Sequence, residues 1–162
     1  MAVSGDSRPA NPGVRFPPPL VYVLPFLASF LLNDRVEFLI VGRGAGATQL
    51  AVGTSMMAAG FLLMAWGLIT FIRLRTAILP FHAARTLVIT PPFTFTRNPM
   101  YLGLLVAYLG GALATNWAWP LVFLPIVIGV MNGFVIAREE RYLRAGFGDD
   151  YDAYCRRVRR WI

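Results

Sequence analysis

Pro91-Pro92-Phe93-Thr94-Phe95-Thr96-Arg97-Asn98-Pro99-Met100-Tyr101-Leu102-Gly103 decides how this chain folds, because it marks where a basic connector re-enters an apolar phase. Asn98-Pro99 reads as a helix N-cap followed by the first helical residue. The free N–H groups of that helix start, beside Arg97, favour an anion. No residue from Asn98 to Ala137 is charged, and the run is too long for one membrane span of about 20 residues. Thr115-Asn116-Trp117-Ala118-Trp119-Pro120 supplies the break, with polar residues, a proline and two tryptophans suited to an interface. A helical hairpin of spans 99–114 and 120–137 is therefore predicted.

Upstream, the uncharged run Gly44 to Ile72 predicts a span over 48–71, closed by Arg73 and Arg75. The connector 73–97 holds Arg73, Arg75, His82, Arg85 and Arg97, no acid, and the breakers Pro80, Pro91 and Pro92. The first apolar run, Leu20 to Leu32, is short for a bilayer and becomes a span over 16–33 only with Phe16-Pro17-Pro18-Pro19. Residues 1–15 are polar, lack the apolar core of a signal peptide, and read as a disordered tail. The fold expected is an all-α integral membrane protein: about four transmembrane helices in one domain, 16–162, with a C-terminal cytoplasmic or interfacial helix.

Composition agrees. The chain is 57% apolar and only 14% charged, where a soluble domain carries nearer a quarter. The net charge of +7 comes from arginine alone, since no lysine is present. Nucleic-acid binding would not separate its basic residues by long apolar runs. Thirteen of the 15 arginines lie in the tail, the connector and the C-terminal segment, against Arg35 and Arg43 in the other loops. The positive-inside rule then places both termini in the cytoplasm, on the inner or cytoplasmic membrane. With one histidine and the single Cys155, neither a metal cluster nor an intramolecular disulfide is expected. His82 lacks a glycine-framed nucleophile to serve, and Gly42-Arg43-Gly44-Ala45-Gly46 follows no strand as a phosphate loop would.

Small residues recur at packing intervals: Gly103, Ala107, Gly110, Gly111 and Ala114 in the third span, Gly129 and Gly133 in the fourth. Beyond Ala137, Glu139 and Glu140 stand at a helix C-terminus, against its dipole. Acids so placed point to pairing with Arg97 or Arg138, or to a cationic ligand. A break at Gly146-Phe147-Gly148 precedes a new helix start at Asp149. Tyr151, Tyr154, Val158 and Trp161 then form one aromatic face, with Arg156, Arg157, Arg159 and Arg160 crowding the end. That segment reads equally as an amphipathic helix on anionic headgroups.

At these residues the chain resembles the isoprenylcysteine carboxyl methyltransferase family, in its small bacterial type. One block runs from Arg85-Thr86-Leu87-Val88 through Arg97-Asn98-Pro99-Met100-Tyr101-Leu102-Gly103. The other takes Glu139-Glu140, Leu143, Phe147-Gly148-Asp149-Asp150-Tyr151, Tyr154 and Arg157-Val158. Pro91, Arg85 and Asn98 depart from the family, standing for a glycine and two histidines. The resemblance implies S-adenosylmethionine as cofactor, S-adenosylhomocysteine as product, and a lipophilic small-molecule or lipid acceptor entering from the bilayer. It implies that Arg97, Asn98, Pro99, Tyr101 and Gly103 line the cofactor side, that Glu139 and Glu140 anchor the cofactor or hold Arg97, and that Tyr151 and Tyr154 close a lid. Arg97, Glu140 and Arg157 are the candidate catalytic set, Arg157 by gripping an acceptor carboxylate of isoprenylcysteine type. A phospholipid or amine acceptor remains open, and so does a non-enzymatic, lipid-binding membrane protein. Tyr154-Cys155-Arg156-Arg157-Val158 is also similar to the ending of membrane sterol reductases, which use NADPH, although this chain is short for one.

Overall fold

Inside lipid a backbone must satisfy its own hydrogen bonds, so each uncharged run becomes a helix. The computed structural model describes residues 12–14, 16–42, 46–74 and 87–162. Most of the polar tail, Arg43, and the connector residues Arg75, His82 and Arg85 lie outside the described residues. Five α-helices follow in order: α1 (Leu20–Arg35), α2 (Ala47–Arg73), α3 (Pro99–Thr115), α4 (Trp119–Val130) and α5 (Ala137–Arg157). A six-residue π-helical segment, Met131–Ile136, joins α4 to α5. The described residues contain no strand, only an isolated bridge between Leu39 and Trp117.

Three boundaries differ from expectation for local reasons. Helix α1 begins at Leu20, because Pro17, Pro18 and Pro19 lack N–H groups and lend only their carbonyls, to Leu20, Val21 and Tyr22. The predicted span 16–33 thus becomes a 16-residue helix. Helix α3 stops at Asn116, which takes the left-handed conformation (φ 60°) that asparagine tolerates as a helix terminator. The fourth helix runs on past Ala137. Helix continues past Arg138, where no breaker occurs, as far as a kink at Gly148, and resumes beyond it to Arg157. Two helical stretches, Ala47–Arg73 and Trp119–Arg157, are long and apolar enough to cross a membrane, while Pro99–Thr115 is a shorter apolar helix.

The most extensive packing is antiparallel, between α2 and α3. Gly53 and Gly60 of α2 meet Gly110 and Gly103 of α3 backbone to backbone. A Cβ at Gly60 would stand 2.4 Å from the Gly103 carbonyl oxygen, and one at Gly103 would stand 2.5 Å from that of Gly60. Close approach of this kind is how apolar helices associate without a hydrophobic driving force. Gly129 and Gly133, expected to pack likewise, have no described residue within 4 Å of where a Cβ would stand; the close contact was made by α2 instead. Helix α1 lies against α4, where Tyr22, Tyr108, Val127, Met131, Val135 and Ile136 form the main buried cluster. Leu24, Leu31, Leu62 and Ile126 face outward at 59, 65, 71 and 60% exposure, more apolar surface than a water-facing monomer presents.

Candidate active site

The antiparallel α2–α3 pair sets the C-terminal end of α2 beside the start of α3, and the C-terminal tail of the chain comes to the same place. Phe93 is buried and stacks on Phe71 of α2 (4.8 Å between centroids, 9° between planes). The turn before it contains a cis Pro91-Pro92 bond, with Phe93 N–H donating to the Thr90 carbonyl at 2.9 Å. From the other sequence block, the Tyr154 hydroxyl donates to the Phe93 carbonyl at 2.7 Å.

The predicted break in the C-terminal segment falls at Gly148, whose φ of 52° and ψ of −125° leave the helical region. Helix resumes through Tyr151 and Tyr154, which with Val158 form a second buried cluster packed by Leu87, Leu143 and Phe147. The aromatic face therefore packs on protein. It also ends sooner than its periodicity predicts, because the chain turns extended at Val158 (φ −123°, ψ 128°). Trp161 consequently leaves that face, packs on the main cluster, and donates its indole N–H to Asn132 Oδ1 in the π-helical segment at 3.0 Å.

The extended tail runs beside Thr96-Arg97-Asn98. Arg97 N–H donates to the Arg159 carbonyl at 3.0 Å. The Arg160 carbonyl accepts from Asn98 Nδ2 at 2.8 Å and from Thr96 Oγ1 at 3.2 Å. Asn98 does hold the N-cap position of α3, but its side chain makes no cap bond. The amide is committed to the tail instead.

Glu140 sits at the centre. Its Oε1 receives Arg97 Nη2 at 3.0 Å and Arg160 Nε at 3.0 Å, and its Oε2 receives Arg160 Nη2. The carboxylate and the Arg97 guanidinium are each 14% exposed, Arg160 38%. The bond to Glu140 raises the Arg160 pKa above its ordinary value. Arg97 Nε is buried with no hydrogen-bond partner among the described residues. The neighbouring acid is in a different setting. Glu139 Oε1 accepts the Tyr101 hydroxyl at 2.6 Å. Burial pushes the Glu139 carboxyl up to about 7, the Tyr101 bond opposes the rise, and the Glu140 charge adds to it. Tyr101 is in turn fixed by Tyr22 of α1, whose hydroxyl donates to the Tyr101 carbonyl at 3.2 Å. Burial also raises the Tyr151 and Tyr154 hydroxyls.

Arg97, Asn98, Pro99, Tyr101, Glu139, Glu140, Tyr151 and Tyr154 are thus gathered at one end of the bundle. Two expected site residues are not. Gly103 faces α2, where its missing side chain is required by the Gly60 backbone. Arg157 is exposed on the last turn of α5, with its Nε donating to the Ala153 carbonyl at 3.4 Å. The extension at Val158 turns Arg160 inward in its place. Arg160, Thr96, Tyr22 and Trp161 were missed; all but Tyr22 depend on the tail's path, and the arginine crowding was the one available signal. Among the described residues no group of three or more histidine, cysteine or acidic side chains could hold a metal. An open groove along Ala47, Thr48, Ala51 and Met56 lies at the opposite end of α2 and carries no charged group.

An uncharacterized protein of Haemophilus influenzae is 48% identical over 65 residues, which is 39% of this chain and the whole of that protein. No solved structure matches the chain. The model of the phospholipid methyltransferase family matches residues 48–150, from the first turn of α2 through most of α5 and across the whole Arg97–Glu139–Glu140 constellation. The chain belongs to the phospholipid methyltransferase family.

Proposed function

We propose that this membrane methyltransferase carries a methyl group from S-adenosylmethionine to a lipophilic acceptor at the cytoplasmic face. The observation that carries the reading is the charge arrangement at the start of α3. Two arginines share Glu140, so that trio keeps a net positive charge beside a helix N-terminus, and the buried Arg97 Nε has no partner among the described residues. A second acid, Glu139, is held by a hydroxyl rather than by a cation among the described contacts. An anion-seeking arginine next to a separately held carboxylate suits the zwitterionic end of this cofactor. Arg97 faces the ligand carboxylate, Glu139 the ammonium, and Glu140 holds Arg97. Asn98, Pro99 and the Tyr151–Tyr154 pair complete the walls.

The cofactor brings a methyl group already activated by its sulfonium, so the chain's own work is alignment and exclusion of water. The start of α3, pinned through Asn98 and Thr96 to the tail, provides a rigid platform for that alignment. The topology that supplies the acceptor is four spans in one domain, 16–162, with both termini and the 73–97 connector cytoplasmic, in keeping with the arginine distribution.

A phospholipid amine is the second acceptor reading, favoured by the family match. The first rested on Arg157 gripping a carboxylate, and that side chain stays outside the cluster. An amine acceptor must lose a proton, which a carboxylate acceptor need not. Titration of detergent-purified protein with S-adenosylmethionine, S-adenosylhomocysteine and NADPH tests the cofactor. Binding of the sulfur ligands, lost in Arg97→Ala, is expected; binding of NADPH alone overturns the proposal. Labelled methyl transfer into a membrane extract then identifies the acceptor.

A further inference from the structure

We infer that Arg160 is a positioning residue that keeps the Arg97 guanidinium available to an anionic ligand by occupying the second oxygen of Glu140. The inference rests on the reading above, in which Arg97 meets the cofactor's carboxylate.

Arginine and carboxylate prefer a two-pronged grip, with paired N–H donors set against both oxygens. Glu140 could form that grip with either neighbour. It forms it with Arg160, through Nε to Oε1 and Nη2 to Oε2. Arg97 is left a single prong, Nη2 to Oε1 at 3.0 Å, and its Nε has no partner among the described residues. A buried arginine N–H without a partner is costly, so something must prevent Glu140 from turning to take it. The described structure provides one obstacle: Oε2 is already held by Arg160. With Arg160 removed, Glu140 is free to close on Arg97 through both Nε and Nη2. Arg97 would then be neutralised and its donor edge spent on protein.

Arg160 reaches this position through groups a side-chain change leaves in place. Its carbonyl accepts from Asn98 Nδ2 and Thr96 Oγ1, Arg97 N–H holds the Arg159 carbonyl, and Trp161 is tied to Asn132. An Arg160→Gln variant should therefore keep the tail docked while releasing Glu140, which separates positioning from folding.

The test uses two ligands, S-adenosylhomocysteine and methylthioadenosine, the latter lacking the amino-acid end. Detergent-purified full-length protein is titrated with each. Arg160→Gln is expected to weaken S-adenosylhomocysteine roughly tenfold or more, the scale of a charge-assisted hydrogen bond, and to change methylthioadenosine by less than about twofold. Adding Glu140→Gln to Arg160→Gln removes the competing carboxylate, so affinity for S-adenosylhomocysteine should rise again above that of the single variant. A merely structural Arg160 predicts equal loss for both ligands and a further loss in the double variant; either result overturns the inference. Unchanged S-adenosylhomocysteine binding in Arg160→Gln overturns it while leaving the cofactor reading intact. If wild-type protein binds neither ligand, both fall together.

Discussion

At the scale of single residues, Glu139 and Glu140 are adjacent acids in opposite environments, and the difference is measurable. Burial raises Glu139 to about 7, so the folded protein binds this proton more tightly than the unfolded chain does. Its contribution to stability is greatest at low pH and declines as pH rises from the ordinary carboxylate value of 4.5 to about 7. Ligand binding has the opposite sign, because a cationic ammonium favours the ionised acid. S-adenosylhomocysteine should bind more tightly as pH rises from 5.5 through 8, and Glu139→Gln should flatten that profile. An unchanged pH slope in the variant removes Glu139 from the site. Tyr154→Phe is a simpler case: it leaves the Phe93 carbonyl unpaired and should cost about 1–3 kcal/mol, read as a lower unfolding midpoint in detergent.

Between elements, the α2–α3 contact is a backbone-to-backbone junction that supports the site from behind. Gly60→Val would drive a side chain into the Gly103 carbonyl and should destabilise by about 3 kcal/mol or more. Gly129→Ala offers the control. No described residue lies within 4 Å of where its Cβ would stand, so helix propensity dominates, and stability should rise by up to about 1 kcal/mol. Thermal unfolding of the two variants compares them directly; a neutral Gly60→Val contradicts the packing. Gly148 is an element boundary of another kind. Its backbone is outside the helical region, and alanine there should cost about 1–3 kcal/mol in strain, shifting Tyr151 and Tyr154 relative to Phe93.

For the whole molecule, the decisive property is which side of the membrane the cluster occupies. Cys155 is the chain's single cysteine, close in sequence to Tyr154, and reports that side without engineering. A membrane-impermeant maleimide should label it in inverted vesicles and leave it unlabelled in intact cells. A cysteine introduced at Gly42 in a Cys155→Ser background should show the reverse, since Gly42 lies in an outer loop of the proposed topology. Labelling of Cys155 in intact cells overturns the orientation.

The helices and their order were legible in the chain, and so were several of the residues that lie together at the start of α3. Charge-free runs bounded by arginine specify helices because lipid leaves the backbone no other partner. Asn98-Pro99 marked the start of α3 within a residue, and Gly148 marked the bend in α5. The pairing of Arg97 with Glu140 was also foreseeable, from an acid placed against its helix dipole in an arginine-rich chain. What only the tertiary structure decided is which surfaces meet. Glycine spacing shows that a helix can approach a neighbour, not which neighbour, so Gly103 went to α2 while Gly129 and Gly133 meet no described residue closely. Helical periodicity likewise cannot see where a helix ends. The extension at Val158 turned Arg160 and Trp161, rather than Arg157, toward the start of α3, because tail carbonyls there found donors in Arg97, Asn98 and Thr96 that no local pattern announces.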